Sequence, residues 1–394
     1  MLKAVAEVVV AVTNHLKKFT AFLLCSLSTL ANAAVLPEER GDVMYHSYDG
    51  GGVTIDGPSV LVRKNFKDTY SLSANYYVDK VSSASIDVVT SGASEYAEER
   101  TEYSLSGDYL YDRSLLSAGF TTSEENDYQA ETVYMGVSQD MFGDLTTVSF
   151  GYARGNDTVK QTGNDDFEED VNRQNYRLGV SQILTPNLLM AINYEFITDE
   201  GFLNNPYRSY RYLVNPNDPA LGYQQEQEVY PNTRSSDALA MRFSYYLPYR
   251  AAVKAEYRFF TDDWGIEANT YQLSYTHPFN DRWLVDLKYR FYQQGQADFY
   301  SDLFQTVSQD EKDYRARDKE LSDFESSTFG IAVSYQLPAF GTMIEKSKIS
   351  LQWDFIHYDY NNFTDLQDTN NIAGEEKLYS FEADVVKLYF SIWY

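Results

Sequence analysis

The sequence predicts an all-β protein: a transmembrane, antiparallel, up-and-down β-barrel of about 16 strands, with short periplasmic turns and long outer loops. Three observations carry this expectation. Apolar and polar residues alternate over segments of about ten residues, the period of strands with one face in lipid. The connections between segments alternate between short and long, as in bacterial barrels. Tyr and Trp gather near segment ends, where a side chain meets hydrocarbon at one end and water at the other.

Composition narrows the class further. The 394 residues include 58 Asp and Glu against 32 Lys and Arg, a net charge of −26. Gripping nucleic-acid phosphates needs surplus Lys and Arg, so a nucleic-acid partner is excluded. One Cys excludes a disulfide framework and a Cys-rich zinc site. With 35 Tyr and 23 Phe, the chain is too aromatic for a disordered acidic tail. Length alone would suggest two or three soluble domains, at roughly 150 residues each. The strand rhythm replaces them with one barrel over residues 34–394.

Residues 1–33 are expected to be a cleaved export signal. Lys17-Lys18 precede an apolar stretch from Phe19 to Leu30, and Ala31-Asn32-Ala33 supplies a small-x-small cleavage pattern. The stretch is shorter than the roughly 20 residues of a membrane-spanning helix. Leu23-Leu24 before Cys25 do not suit lipid attachment, so Cys25 leaves with the signal. A mature chain without Cys suits an oxidising periplasm.

The strands follow in order. A weak first segment lies near Asp42 to Tyr48. Val148, Phe150 and Tyr152 oppose Thr147, Ser149 and Gly151; Leu188 to Phe196 alternate against Asn193 and Glu195. Leu239 to Leu247 oppose Arg242 and Ser244, and Val253 to Phe259 oppose Lys254, Glu256 and Arg258. The clearest case is Trp283, Val285, Leu287, Tyr289 and Phe291 against Leu284, Asp286, Lys288, Arg290 and Tyr292. Ile349 to Phe355 oppose Gln352 and Asp354. The chain ends within a strand, Val386 to Tyr394, on an aromatic like the recognition signal of outer-membrane proteins. Expected partners are therefore outer-membrane lipid and the barrel-assembly machinery.

Short turns are expected at Asp112-Arg113, Phe142-Gly143-Asp144, Thr185-Pro186-Asn187, Pro248-Tyr249 and Pro278-Phe279-Asn280. Long polar loops are expected around Val81 to Glu98, Asn156 to Asn172, Glu200 to Ser235, Gly295 to Asp323 and Asn361 to Glu376. Glu200 to Ser235 and Gly295 to Asp323, rich in Tyr, Arg and Asp, are candidate plugs or contact surfaces.

Asp42-Val43-Met44-Tyr45-His46, Tyr48-Asp49-Gly50-Gly51-Gly52-Val53 and Asp56-Gly57-Pro58-Ser59-Val60-Leu61-Val62-Arg63-Lys64 carry a family resemblance. It continues through Ser73 to Asp79, Ser82 to Ser91, Thr198 to Arg208, Tyr245-Tyr246-Leu247-Pro248 and Asp298 to Phe304. The pattern resembles the domain of unknown function 3570 family of Gram-negative exported proteins. The resemblance implies an outer-membrane barrel and brings no catalytic residue. It also implies an envelope redox or assembly setting, with a periplasmic thioredoxin-like or lipoprotein partner.

No catalytic, cofactor or metal residue is assigned. His46, His277 and His357 are isolated, without a His-x-x-x-His pair or neighbouring Cys. No Gly-x-Ser-x-Gly occurs. Gly50-Gly51-Gly52 lacks the Lys-Ser/Thr of a phosphate loop and reads as a tight turn. The acidic runs Glu124-Glu125-Asn126-Asp127, Asp165 to Asp170 and Glu375-Glu376 fall on outer loops. They read as a solvated rim or as carboxylates for Ca²⁺ or Mg²⁺.

The lumen set is more telling. Arg177, Glu195, Arg242, Lys254, Glu256, Arg258, Asp286, Lys288, Arg290, Asp354 and Lys387 are expected to point inward. Arg or Lys on the lipid face at mid-depth costs about 2–4 kcal/mol. The set leans basic in an acidic chain. It reads either as the lining of a non-enzymatic pore for small anionic solutes or as an ionic network filling a plugged barrel. The plugged barrel would act as a scaffold for envelope partners.

Overall fold

The alternation is realised as strands long enough to cross a bilayer, roughly 9–11 residues when tilted. A computed structural model describes residues 34–83, 96–310, 312–338, 343–368 and 372–394. The export signal expected over residues 1–33 lies outside the described residues. In chain order the strands are β1 (Arg40–Gly50), β2 (Val53–Phe66), β3 (Tyr70–Ser83), β4 (Tyr96–Tyr111), β5 (Ser114–Glu124) and β6 (Tyr128–Met141). They continue as β7 (Thr146–Gln161), β8 (Asn164–Thr185), β9 (Leu188–Gly201), β10 (Ser209–Leu213), β11 (Tyr223–Gln227) and β12 (Thr233–Tyr246). The last six are β13 (Ala252–Asp262), β14 (Glu267–Phe279), β15 (Trp283–Gln294), β16 (Phe324–Leu337), β17 (Lys346–Thr364) and β18 (Leu378–Trp393).

All but β10 and β11 join one closed antiparallel barrel of 16 strands. The ladder follows sequence order and closes between β1 and β18, from Arg40 opposite Trp393 to Gly50 opposite Ala383. β10 and β11 form a separate ribbon inside the β9–β12 link. Among the described residues no helix is long and apolar enough to cross a membrane.

Cross-strand partners share a sheet face, so the registers fix which side chains point together. One face carries Leu105, Leu273 and Phe329, exposed by 63%, 54% and 58%. A soluble sandwich would bury such residues, and a contiguous apolar outer face of this kind requires lipid. Aromatic pairs reinforce it across strands, including Tyr76–Tyr103, Tyr257–Tyr271 and Tyr289–Phe329 at 5.2, 5.1 and 4.9 Å.

Gly51 and Gly52 are the two-residue turn between β1 and β2. Both have positive φ, 58° and 77°, the backbone of a type I′ hairpin turn. The expected tight turn is therefore present. Gly57 meets a different demand. A Cβ there would stand 1.8 Å from the Val78 carbonyl oxygen. Gly57→Ala should destabilise the barrel by roughly 1–3 kcal/mol, measured by urea unfolding in detergent. Gly136→Ala, whose Cβ would meet nothing closer than 3.6 Å, should be near neutral. Equal stability for the two variants would refute the close-approach account.

One expected loop is absent. Residues 156–172 are the ends of β7 and β8, joined by a two-residue turn at Thr162 and Gly163. Beyond the apolar belt both faces of a hairpin are wet. The Asp165 to Asp170 acids therefore sit in a strand without cost, and the apolar alternation that marks strands vanishes.

Candidate functional site

The face opposite the apolar belt lines the barrel interior. On β3 to β7 it includes hydroxyl pairs, Ser73–Ser106 at 2.6 Å and Ser104–Thr121 at 3.0 Å, beside charged groups such as Asp79 and Glu102. The sector from β8 to β18 holds all eleven charged residues singled out from the sequence. The pairings Arg177–Glu195, Arg242–Glu256, Lys254–Ser274–Lys288 and Gly330–Asp354 put them on one face. Arg258 and Arg290 follow two residues on from Glu256 and Lys288. Asp286 and Lys387 join through Ala332 and Gln352.

Part of this set is paired. Arg177 Nε lies 3.0 Å from Glu195, and Arg258 reaches the same carboxylate at 3.7 Å. Arg242 pairs with Glu256, Lys288 with Asp354 at 2.8 Å, and Thr276 donates to Asp286. Among the described residues, no carboxylate pairs with Lys254, Arg290 or Lys387. The wall from β13 to β18 therefore keeps unpaired positive charge.

His46 also faces inward. Its Nε2 is 2.6 Å from Asp79 Oδ1 and 3.1 Å from the Tyr77 hydroxyl, and its ring stacks on Tyr77. Sequence separation hid this cluster, since the partners stand 33 and 31 residues away. His277 packs among Tyr249, Tyr275 and Phe279. His357 sits 3.0 Å from Asp359.

The links 202–232 and 295–323 fold onto each other as a cap. Tyr230, Trp264, Ile266, Ala297, Tyr300 and Leu321 form its apolar core, against inward-facing Phe260. A buried ionic cluster ties in the β17–β18 link. Arg211, wholly buried, donates to Glu376 Oε1 at 2.6 Å, to the Asp302 carbonyl at 2.7 Å and to Thr364 Oγ1 at 2.9 Å, and pairs with the Asp302 carboxylate. Arg317 joins Asp302 at 2.9 Å, and its backbone N–H donates to Glu228 at 2.6 Å. Burial pushes the Asp302 carboxyl up, but Arg317 and Arg211 outweigh it and hold the group below its usual range. Glu376 is likewise held low, burial being outweighed by the hydrogen bonds from Arg211.

The cap reaches other links of the same rim. Tyr207 donates to Asp127 in the β5–β6 link at 2.6 Å, and Arg211 binds the β17–β18 link.

Two expectations about the acidic runs change. Glu376 is a cap ligand with a side chain only 5% exposed, not part of a solvated rim. Glu125 and Asp127 come together with Glu98, their oxygens within 4.8 Å of one another. Burial raises the Glu125 carboxyl; Asp127 adds to this and Arg100 opposes it. Tyr207 already occupies one Asp127 oxygen.

A closed antiparallel barrel with an even strand number and an apolar outer belt defines the class: a membrane-spanning barrel with the fold of bacterial outer-membrane proteins. The chain belongs to the family described as "Protein of unknown function (DUF3570)", which matches residues 88–177 and 166–365. Asp42 to Asp87, which carry part of the resemblance seen in the sequence, precede the matched residues. No curated protein matches the chain in sequence. Among solved structures it is similar to "Bacterial polysaccharide outer membrane secretin", at 6% identity and TM-score 0.48, covering 90% of this chain and 98% of that one. It is also similar to the CymD monoaromatic hydrocarbon channel, at 9% identity and TM-score 0.41, covering 91% and 89%. A Pseudomonas aeruginosa FadL homologue gives 10% identity and TM-score 0.41, covering 90% and 89%.

Proposed function

We propose that the protein is a non-enzymatic outer-membrane pore admitting small anionic solutes, with entry at the long-loop end restricted by the cap. The observation supporting this most directly is the set Lys254, Arg290 and Lys387, inward-facing and without carboxylate partners among the described residues. A purely structural ionic network would neutralise its cations, because uncompensated charge in a low-dielectric interior is costly. Charge left open on a wetted wall instead attracts counter-ions and sets selectivity.

Planar-bilayer recording on the refolded mature protein tests the reading. The expected result is a steady, anion-preferring conductance, with the preference lost in Arg258→Glu plus Arg290→Glu. A conductance whose selectivity ignores that double substitution would overturn the lumen assignment.

The cap favours a second reading, a closed barrel that holds an envelope partner such as a periplasmic thioredoxin-like protein or a lipoprotein. Three links knitted through a buried Arg form a stable cover. Silent bilayers together with an envelope protein that co-purifies stoichiometrically would support it over the pore.

A further inference from the structure

We propose that the lumen carries a site for ring-bearing organic anions, in which Tyr292 and Tyr358 flank the ring and Arg290 takes its anionic group. This rests on the lumen being accessible to solutes.

The register places the parts side by side. Arg258, Thr270, Tyr292, Ser326, Tyr358 and Phe381 are successive cross-strand partners from β13 to β18, one inward-facing row. Arg290 lies two residues from Tyr292 on the same face of β15, about 6.6 Å along the strand. Tyr358 and Phe381 stack at 4.6 Å with their planes 15° apart. Phe324 stands against Tyr292 at 5.5 Å.

Aromatic faces on a water-lined wall need a reason, because exposing ring area to water is unfavourable. The cap supplies only part of one. Tyr360 and Phe363 are buried, whereas Phe324, Tyr358 and Phe381 remain partly exposed beside them. The Tyr358 hydroxyl bonds to no group among the described residues.

The charge selects the ligand. Arg290 has no carboxylate partner among the described residues, whereas Arg258 stands 3.7 Å from Glu195 and over the Phe260 ring at 5.6 Å. A guanidinium can meet a carboxylate or phosphate with two parallel N–H donors. A small inorganic anion would gain nothing from the ring wall, and a neutral ring would leave the guanidinium uncompensated. The shared chemistry is therefore a flat apolar ring face joined to an anionic group, as in aromatic acids and acidic sugars.

Calorimetry on the detergent-solubilised mature protein, titrated with benzoate, glucuronate, acetate and benzyl alcohol, tests this. Benzoate or glucuronate should bind at least roughly tenfold more tightly than acetate or benzyl alcohol. Benzoate alone would indicate an aromatic acid, and glucuronate alone an acidic sugar. Arg290→Gln should weaken the ring-bearing anion by roughly tenfold without moving the unfolding midpoint. Tyr358→Leu, which keeps apolar bulk, should bring it down to the level of acetate. Binding no tighter than acetate, or unchanged by Arg290→Gln, would overturn the site. Binding with silent bilayers would keep the site and reject the pore. Anion conductance with no such binding would keep the pore and reject the site.

Discussion

Arg211→Ala is expected to release the cap while leaving the barrel closed. Arg211 holds Asp302, Glu376 and Thr364 from a fully buried position. Removing one member of a buried ionic cluster leaves the others charged and unsolvated, at a cost of about 3–5 kcal/mol. The loss falls on the docking of three links, because no barrel ladder runs through Arg211. Protease should then cut within 202–232 and 295–323, where the parent resists, while the 16-strand core keeps its heat-modifiable gel mobility. Bilayer conductance should rise in parallel if the cap restricts entry. A parent-like digestion pattern would show that the cap does not depend on the cluster.

The same cluster sets a pH dependence. The Asp302 and Glu376 carboxyls lie lower in the folded cap than in the free chain. Their contribution is therefore complete above their ordinary carboxylate range and lost as pH falls through the folded values. Cap digestion should increase on acidification below about pH 4, and in Arg211→Ala the acid dependence should largely disappear.

How much of this the sequence discloses depends on where lipid acts. Leu273 and Leu287 alternate with Gln272 and Lys288 because one face is in hydrocarbon, so strand number and inward charges were legible. Above the belt that signal ends, which is why the adjoining ends of β7 and β8 read as a loop. The cap was legible only as two links too long for turns. Its cluster joins Arg211 to Glu376 across 165 residues of sequence, a separation no local pattern records. Tyr292, Tyr358 and Phe381 are intermediate. Each falls on the polar side of the alternation, where an aromatic is out of place, but only the register shows that they share one row with Arg258.

Leu273→Arg and Gln272→Arg separate lipid from lumen within one strand. The two residues are neighbours in β14, so local propensity and chain position are nearly constant between them. Leu273 is the seventh of 13 residues in β14 and half-exposed on the apolar face. Gln272 faces the interior between Glu256 and Arg290. Arg at mid-depth on the lipid face costs about 2–4 kcal/mol, because hydrocarbon offers the guanidinium neither water nor an acceptor. On the interior face the same side chain meets water, with the Glu256 carboxylate on one side and the like charge of Arg290 on the other, so the expected cost is below about 1 kcal/mol. Denaturant unfolding in lipid vesicles should show a loss of that size for Leu273→Arg alone. In a water-soluble sandwich the exposed Leu273 would accept Arg freely. Equal stability of the two variants would therefore remove the membrane assignment itself, whatever the lumen conducts.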